Sequence, residues 1–280
     1  MNRVDRQYLL TTKQMAEFVA DGFLRFDRIV PEAINQAAMD EYEQKPWPHG
    51  GGYRGELLDD LEMWRDSPGI GAMLRLPQVR GIIESLVGPS PRYDHHQVHT
   101  VPPGRNVGQT WHGDAIIDTR LHFDAQLFYF AHDTPREMGG TMILPGSHLR
   151  RVNESDIGRY QNFRGQLPMV CKAGTIMVCH HGMWHCAQPN LTDRTRYMFK
   201  LRMNPMVRQL RLWNTDDIDD PAIPGILGKN HGWYGGGGED RLEIVQRIKQ
   251  WRFLVGDEKF DVGYWMGRLE NMPENVLEAV

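Results

Sequence analysis

The sequence predicts a mainly β fold, a sandwich or closed barrel whose strands are preceded and followed in the chain by helices. Between residues 93 and 201, short β-type segments alternate with turn signals, whereas helical periodicity lies on either side. Hydrophobic residues make up 40% of the 280 residues and charged residues 24%, as in an ordinary globular protein with a sizeable core. We expect one domain over residues 1–280, with a helical part at 1–92, a β core at about 93–205 and a helix and loop part at 206–280.

The N-terminal part of the sequence predicts two helices with a short strand between them. Thr11 or Thr12 can cap the first helix, and Gly22 is suited to end it. Residues 23–26 predict a short strand. Apolar residues at helical spacing after Pro31 predict the second helix, because proline is well tolerated in the first turn of a helix.

A proline- and glycine-rich segment, residues 45–55, follows the second helix and contains Trp47 and Tyr53. This composition favours an irregular surface loop. The alternative interpretation is a lid that closes over a pocket, since long loops often carry function.

Five β-type segments form the predicted core, and turns rich in glycine and proline separate them. The segments are residues 93–101, 125–131, 140–144, 175–179 and 196–201. After the core, the glycines at 235–238 predict a turn, and apolar residues at helical spacing predict an amphipathic helix over about 242–254.

Charge and cysteine content argue against several classes of protein. A net charge of -4 and a pI near 6.3 give no general attraction to phosphate backbones, so we expect no nucleic-acid partner. Cys171, Cys179 and Cys186 show no CxxC spacing, which argues against disulfides and favours the reducing cytoplasm. No apolar run approaches the roughly 18 residues that cross a bilayer, so we expect no membrane partner. The expected partner is a small-molecule substrate, and the sequence leaves the oligomeric state open.

The spacing His112-x-Asp114 predicts two ligands of one metal ion. In an extended segment side chains alternate, so the imidazole and the carboxylate project to the same side. The sequence repeats this pattern at His122-x-Asp124, where the histidine precedes a strand and suits a half-exposed polar role. We favour the first copy, because it follows Trp111 and precedes the Pro-Gly-Ser-His turn.

A third ligand must come from farther along the chain, since a barrel brings distant strands around one pocket. The candidates are His180, His181 and His185. His185 stands out because Asn190 and Arg196 follow it. Two imidazoles and one carboxylate on one face of a metal leave the opposite face open, which is the arrangement of non-haem Fe(II) oxygenases.

Four motifs together resemble the phytanoyl-CoA dioxygenase family of Fe(II)- and 2-oxoglutarate-dependent oxygenases. They lie at residues 16–23, 112–114, 139–148 and 185–196, in the order and spacing of the family. The resemblance covers roughly residues 12–201. It implies a double-stranded β-helix, the jelly roll related to cupins, and the use of O2.

This resemblance also implies roles for individual residues. His112, Asp114 and His185 correspond to the iron ligands, and Arg196 corresponds to the residue that binds the distal carboxylate of 2-oxoglutarate. A guanidinium suits that task, because it offers two parallel donors to a carboxylate. Arg194 can share the strand face of Arg196, but its position relative to His185 fits the family less well.

The sequence departs from the family pattern next to the last histidine. Many relatives carry a serine two positions after it, where the hydroxyl helps to hold the co-substrate, but this chain has Ala187. Thr141 and Gln97 are candidates for a replacement donor. Gln97 and His99 are further candidate contacts by their location before the first ligand, and Phe128 is a candidate wall of the co-substrate pocket.

The predicted function is therefore an Fe(II)- and 2-oxoglutarate-dependent dioxygenase that hydroxylates, desaturates or further oxidises a small-molecule metabolite, plausibly in specialised biosynthesis. The alternatives are a cupin-like metal hydrolase or isomerase that does not use O2, and a non-catalytic metal-binding barrel. The chain lacks a basic patch, which weakly disfavours coenzyme A thioesters. The acidic run at 216–220 can attract a cationic substrate, although a solvated loop is the favoured interpretation.

Overall fold

Two antiparallel sheets and the helices around them make up the part of the chain that the structure describes. The structure is a computed structural model, and it describes residues 4–44, 56–57, 67–115, 119–150, 154–232 and 238–270. The predicted loop at 45–55 and most of the glycine run at 235–238 lie outside these residues.

The predicted strands and helices are present in the predicted order, and further short strands and helices lie among them. The strands are β1 (Phe23–Phe26), β2 (Glu56–Leu57), β3 (Arg92–Val101), β4 (Ala125–Phe130), β5 (Thr141–Ile143), β6 (Leu167–Pro168), β7 (Thr175–His180), β8 (His185–Ala187) and β9 (Arg196–Asn204). The helices are α1 (Thr12–Asp21), α2 (Glu32–Gln44), α3 (Ile70–Arg75), α4 (Pro77–Val87), α5 (Glu154–Ile157), α6 (Ile223–Leu227), α7 (Gly238–Val255) and α8 (Trp265–Glu270).

Strands that are distant in the sequence are neighbours in both sheets. The larger sheet has the order β1-β7-β4-β9-β3-β2, and the smaller sheet has the order β6-β5-β8. Their pairs are antiparallel. Because β9 lies between β3 and β4, the chain returns to the middle of the sheet after leaving it, which is the connectivity of a sandwich rather than of a meander.

Local signals set the ends of the first helix as predicted. The Thr11 side chain accepts a hydrogen bond from the Gln14 backbone, and the Gln14 side chain accepts one from the Thr11 backbone. Such a capping box satisfies two donors that the helix leaves free. Gly22 ends the helix in the left-handed region at φ 81°.

Five of the described helices were missed by the sequence analysis: α3, α4, α5, α6 and α8. α3 and α4 lie between the second helix and the core, and Pro77 occupies the first turn of α4. The apolar residues of α4 lie at positions 79, 82, 83, 86 and 87, which is the spacing of one helical stripe, so this helix could have been predicted from its periodicity. α3 has only six residues, too few to show a helical period.

The two faces of the larger sheet contribute to different parts of the molecule. In β4, Leu127 and Tyr129 pack into the main core with residues of the helices, among them Phe18 of α1. Phe128 and Phe130 point to the opposite face and lie in a second apolar cluster. This second face borders a cavity, so alternation along the strands determines which side chains reach it.

None of the helices in the described ranges combines the length and the apolar character that a membrane-spanning helix requires.

Candidate metal centre

Backbone pairing brings the two histidines of the predicted triad side by side. His112 and His185 form an isolated antiparallel bridge, with N–H to O distances of 3.1 and 2.9 Å between their backbones. Directly opposite residues carry their side chains on the same side. The two rings accordingly lie with their centroids 4.4 Å apart.

Each ring is oriented by a hydrogen bond at Nδ1. His112 Nδ1 lies 2.9 Å from the carbonyl oxygen of Thr110, and His185 Nδ1 lies 3.0 Å from that of Met183. Because a carbonyl oxygen only accepts, both Nδ1 atoms carry the hydrogen, which leaves Nε2 as the ring atom that can bind a metal. This is the outer-shell arrangement that fixes the tautomer of metal-binding histidines.

The carboxylate of Asp114 completes a cluster with these two rings. One ligand atom from each of the three residues lies within 4.8 Å of the others. Gln126 Nε2 donates to Asp114 Oδ2 at 2.7 Å, and Lys200 Nζ donates to the same oxygen. Oδ1 lies 3.7 Å from His112 Nε2. Two imidazoles and one carboxylate with an unshared oxygen fit a divalent iron ion.

Burial and neighbouring charges set the protonation of the cluster. Burial opposes ionisation of Asp114, but attraction to His185 and Lys200 and the hydrogen bonds from Lys200 and Gln126 outweigh it and hold the pKa of Asp114 well below its usual value. Burial lowers the pKa of His185 to about 4. At neutral pH the carboxylate is therefore ionised and the His185 ring is uncharged, which are the forms that bind metals.

The cluster opens into a cavity of about 510 Å³ between the two sheets. Its lining includes the three clustered residues and the further candidates Gln97, His99, Phe128, Thr141 and Arg196. Thr141 of β5 lies directly opposite Ala187 of β8 in the smaller sheet. The Thr141 hydroxyl is thus next to the position where the serine of the family pattern is missing.

Arg196 is a buried cation whose partners in the described residues are backbone oxygens. It is 5% exposed, and Nη1 donates to the carbonyl oxygens of Met138 at 3.1 Å and Gln188 at 3.2 Å. Burial, with repulsion from Arg105, lowers its pKa to about 10, so the group stays charged at neutral pH. A buried guanidinium without a carboxylate is costly unless a ligand supplies the negative charge.

Comparison with protein families adds an independent observation. The family model described as phytanoyl-CoA dioxygenase (PhyH) matches residues 18–198. The chain belongs to the phytanoyl-CoA dioxygenase family. It is a non-haem iron and 2-oxoglutarate-dependent oxygenase, so the predicted enzyme class and the predicted use of Fe(II), 2-oxoglutarate and O2 are confirmed.

Solved structures show the same fold. SnoK, a non-heme alpha ketoglutarate dependent carbocyclase from nogalamycin biosynthesis, is 19% identical and aligns over 73% of this chain and 87% of its own, with a TM-score of 0.54. HygX from Streptomyces hygroscopicus with nickel and 2-oxoglutarate bound is 13% identical over 76% of this chain and 93% of its own, with a TM-score of 0.56. AviO1 from Streptomyces viridochromogenes Tue57 is 14% identical over 74% of this chain and 98% of its own, with a TM-score of 0.54. The predicted jelly-roll core is confirmed. No curated protein sequence matches the chain.

The other histidines that the sequence offered as metal ligands are not part of the cluster. His122 is exposed beside Phe253, and Asp124 lies 3.7 Å from His181 instead of facing the cavity. His180 Nε2 hydrogen-bonds the carbonyl oxygen of Thr119. These residues therefore have structural partners of their own. The cysteines are likewise buried and free.

The sequence analysis missed several residues of the site, and four of them carry polar or charged side chains that bear on the proposal. Lys200 and Gln126 contact Asp114, while His95 and Arg105 line the cavity. Lys200 had a usable signal, because it follows Arg196 at an even spacing on the same strand and so shares its face. The others depend on which strands are neighbours, which one sequence does not reveal.

The acidic run at 216–220 lies outside the cavity lining and has structural partners. Asp217 accepts hydrogen bonds from the backbones of Thr12 and Lys13 at the start of α1. Asp220 forms an ion pair with Lys13 at 2.9 Å. The run helps to hold the first helix, so the suggestion that it attracts a cationic substrate has no support.

The turn at Gly139 supports Arg196, and substituting this glycine is expected to destabilise the protein. Gly139 has φ 64°, and an added Cβ would lie 1.8 Å from the carbonyl oxygen of Pro189. We expect Gly139→Ala to lower the free energy of unfolding by about 3 kcal/mol, from about 1–2 kcal/mol of left-handed strain and about 1–3 kcal/mol of overpacking. Urea unfolding measures this loss.

Gly104→Ala is the matched control for that substitution. Gly104 has φ 65°, but an added Cβ meets nothing within 4 Å. Its cost should therefore be the strain alone, about 1–2 kcal/mol. Equal losses in the two variants would show that the contact with Pro189 is not tight.

Proposed function

We propose that Nε2 of His112, a carboxylate oxygen of Asp114 and Nε2 of His185 bind Fe(II), and that Arg196 binds the distal carboxylate of 2-oxoglutarate. The arrangement supports this assignment at two points of one cavity. At one point two imidazoles converge with an ionised carboxylate. At the other, Arg196 lacks a carboxylate partner in the described chain.

The buried Arg196 is the observation that carries the proposal. A metal hydrolase or isomerase needs the triad but has no use for a desolvated guanidinium at the far end of the cavity. A dicarboxylate co-substrate does need one, because its second carboxylate must be neutralised where water is excluded. The guanidinium is held in place by the Met138 and Gln188 carbonyl oxygens, so it meets the ligand already oriented.

The remaining predicted site residues also contact the co-substrate in this proposal. Many relatives have a serine at the position of Ala187, and the Thr141 hydroxyl takes the place of the hydroxyl of that serine. The two residues are paired across the smaller sheet. Gln97 and His99 of β3 donate hydrogen bonds to the co-substrate. Phe128 packs against the carbon chain of the co-substrate. Phe128 suits this part because its ring lies 6.0 Å from that of His185.

The substrate that we propose is a small molecule, hydroxylated or otherwise oxidised at a carbon atom beside the metal. Fe(II) held by His112, Asp114 and His185 would supply the coupling between two reactions, the oxidative decarboxylation of 2-oxoglutarate by O2 to succinate and CO2 and the insertion of the second oxygen atom into a substrate C–H bond. The residues of the chain orient both molecules, and the walls formed by Phe128 and Phe130 exclude water. A cavity of about 510 Å³ is within the range of small-molecule sites. A role in specialised biosynthesis is supported by SnoK, which is from nogalamycin biosynthesis.

The organisation of the chain is part of the same proposal. We infer one domain, because a single apolar cluster includes residues from Leu10 to Val255. Three free cysteines, all buried, are consistent with a reducing compartment such as the cytoplasm.

Anaerobic titration with Fe(II) and then 2-oxoglutarate tests the proposal. We expect a weak visible charge-transfer band that saturates at one equivalent of each, because the keto acid chelates the bound metal. Aerobic incubation of the same complex should release succinate. A folded, iron-loaded protein that never develops the band would contradict the assignment.

A further inference from the structure

Lys200 is a buried cation that holds the Asp114 carboxylate but has no contact with metal or co-substrate in the proposed function. It is 8% exposed, and it lines the cavity from the same strand face as Arg196 and Met198. Its ammonium hydrogen-bonds Asp114 and lies 5.7 Å from the centre of the Phe128 ring. Four residues of extended chain span about 13 Å, so Lys200 and Arg196 cannot hold the same carboxylate.

The charged groups of the cavity do not balance. Among the described lining residues, the cationic side chains are Arg105, Arg196 and Lys200, and the anionic one is Asp114. The surplus is thus two positive charges. Bound Fe(II) and doubly ionised 2-oxoglutarate cancel each other, so the loaded site keeps this surplus.

Metal binding makes the position of Lys200 less favourable. Without metal, Asp114 neutralises the ammonium across a hydrogen bond. With Fe(II) on Asp114, the ammonium faces a second cation at short range in a region of low dielectric constant. Since a buried charge is costly without a counter-charge, an additional anion is needed in the cavity.

We propose that Lys200 binds an anionic group of the substrate, a carboxylate or a similar oxyanion, and so selects anionic small molecules. This inference rests on the proposed function and names its substrate class. In the sheet, Gln97 lies directly opposite Lys200, so an anion bound by the ammonium would lie beside the amide that the proposed function assigns to the co-substrate. Phe128 on the other neighbouring strand is also opposite Lys200 and offers an apolar wall to the body of the substrate.

A matched pair of probes tests the inference: phenylacetate and its neutral analogue phenylacetamide. Each is titrated anaerobically into the Fe(II) and 2-oxoglutarate complex, and the change of the visible band reports binding. In the wild-type protein we expect the carboxylate to bind at least about 10-fold more tightly than the amide, since hydrogen bonds to charged groups are the stronger ones. In Lys200→Met the dissociation constants of the two probes should differ by no more than about threefold.

Lys172→Met is the control for loss of a lysine. Lys172 also pairs with an aspartate, Asp133 at 2.7 Å, but on the surface and away from the cavity. This variant should keep the wild-type ratio. If Lys172→Met also lost the preference for phenylacetate over phenylacetamide, the effect would not be specific to Lys200.

Three results would overturn the inference. The first is a wild-type complex that binds both probes equally or neither of them. The second is an unchanged ratio in Lys200→Met. The third is a loss of 2-oxoglutarate affinity in Lys200→Met as large as that in an Arg196 variant, which would assign the ammonium to the co-substrate. Failure of the proposed function is separate, because it shows as absence of the band before any probe is added.

Discussion

Replacement of His185 by alanine is expected to abolish Fe(II) binding while leaving the fold intact. The variant removes one of three groups that converge on a point, and the site then has one imidazole and one carboxylate. Because residues that only orient metal ligands contribute about 10–100-fold to affinity, loss of a ligand itself should cost more than about 100-fold. Metal titration under anaerobic conditions measures this loss.

Thermal unfolding provides a second measurement of the same effect. Metal at about 100 times its dissociation constant should stabilise the wild-type protein by about 2.7 kcal/mol. His185→Ala should show no such stabilisation. The control is His122→Ala, which removes an exposed histidine from the second His-x-Asp pattern. Retention of tight Fe(II) binding in His185→Ala, or its loss in His122→Ala, would show that the metal lies elsewhere.

Replacement of Arg196 by methionine is expected to weaken 2-oxoglutarate binding by roughly 100-fold, or about 3 kcal/mol, without loss of iron. The reason is that the distal carboxylate of the co-substrate would be buried without its counter-charge, which typically costs about 2–5 kcal/mol. Methionine keeps much of the apolar stem, so the walls of the cavity stay filled. The visible band, followed against 2-oxoglutarate concentration, measures the affinity.

Arg194→Met is the control, since Arg194 is exposed and lies outside the cavity lining. It should bind 2-oxoglutarate as the wild-type protein does. If Fe(II) and 2-oxoglutarate affinity fell together in Arg196→Met, the division between metal ligands and co-substrate residue would be wrong. If Arg194→Met had the larger effect, the two arginines would have been assigned in the wrong order.

Much of the fold could be predicted because its signals are local. The capping box at Thr11, the glycine at the end of α1 and the run of apolar and aromatic residues in β4 each depend on residues a few positions apart. The helix α4 carries a local signal of the same kind, apolar residues at positions 79, 82, 83, 86 and 87, which the sequence analysis overlooked. The six residues of α3 are too few to show a helical period.

The candidate site was predictable to a similar degree. Extended geometry alone places His112 and Asp114 on one side, and family motifs single out His185 and Arg196. What the sequence analysis missed is the pair that holds the Asp114 carboxylate, Gln126 and Lys200. These contacts join residues from three separate parts of the chain, and no spacing rule connects them.

The sequence by itself determined the chemistry of this protein: the ligand types, their spacing within each segment, and the arginine that suits a dicarboxylate. Only the tertiary structure decided which histidines share a cavity and that Lys200 adds a buried positive charge beside Asp114. The physical reason is strand register. A strand faces its side chains alternately to either side, so a shift of one residue against its neighbour would turn Lys200 away from the cavity.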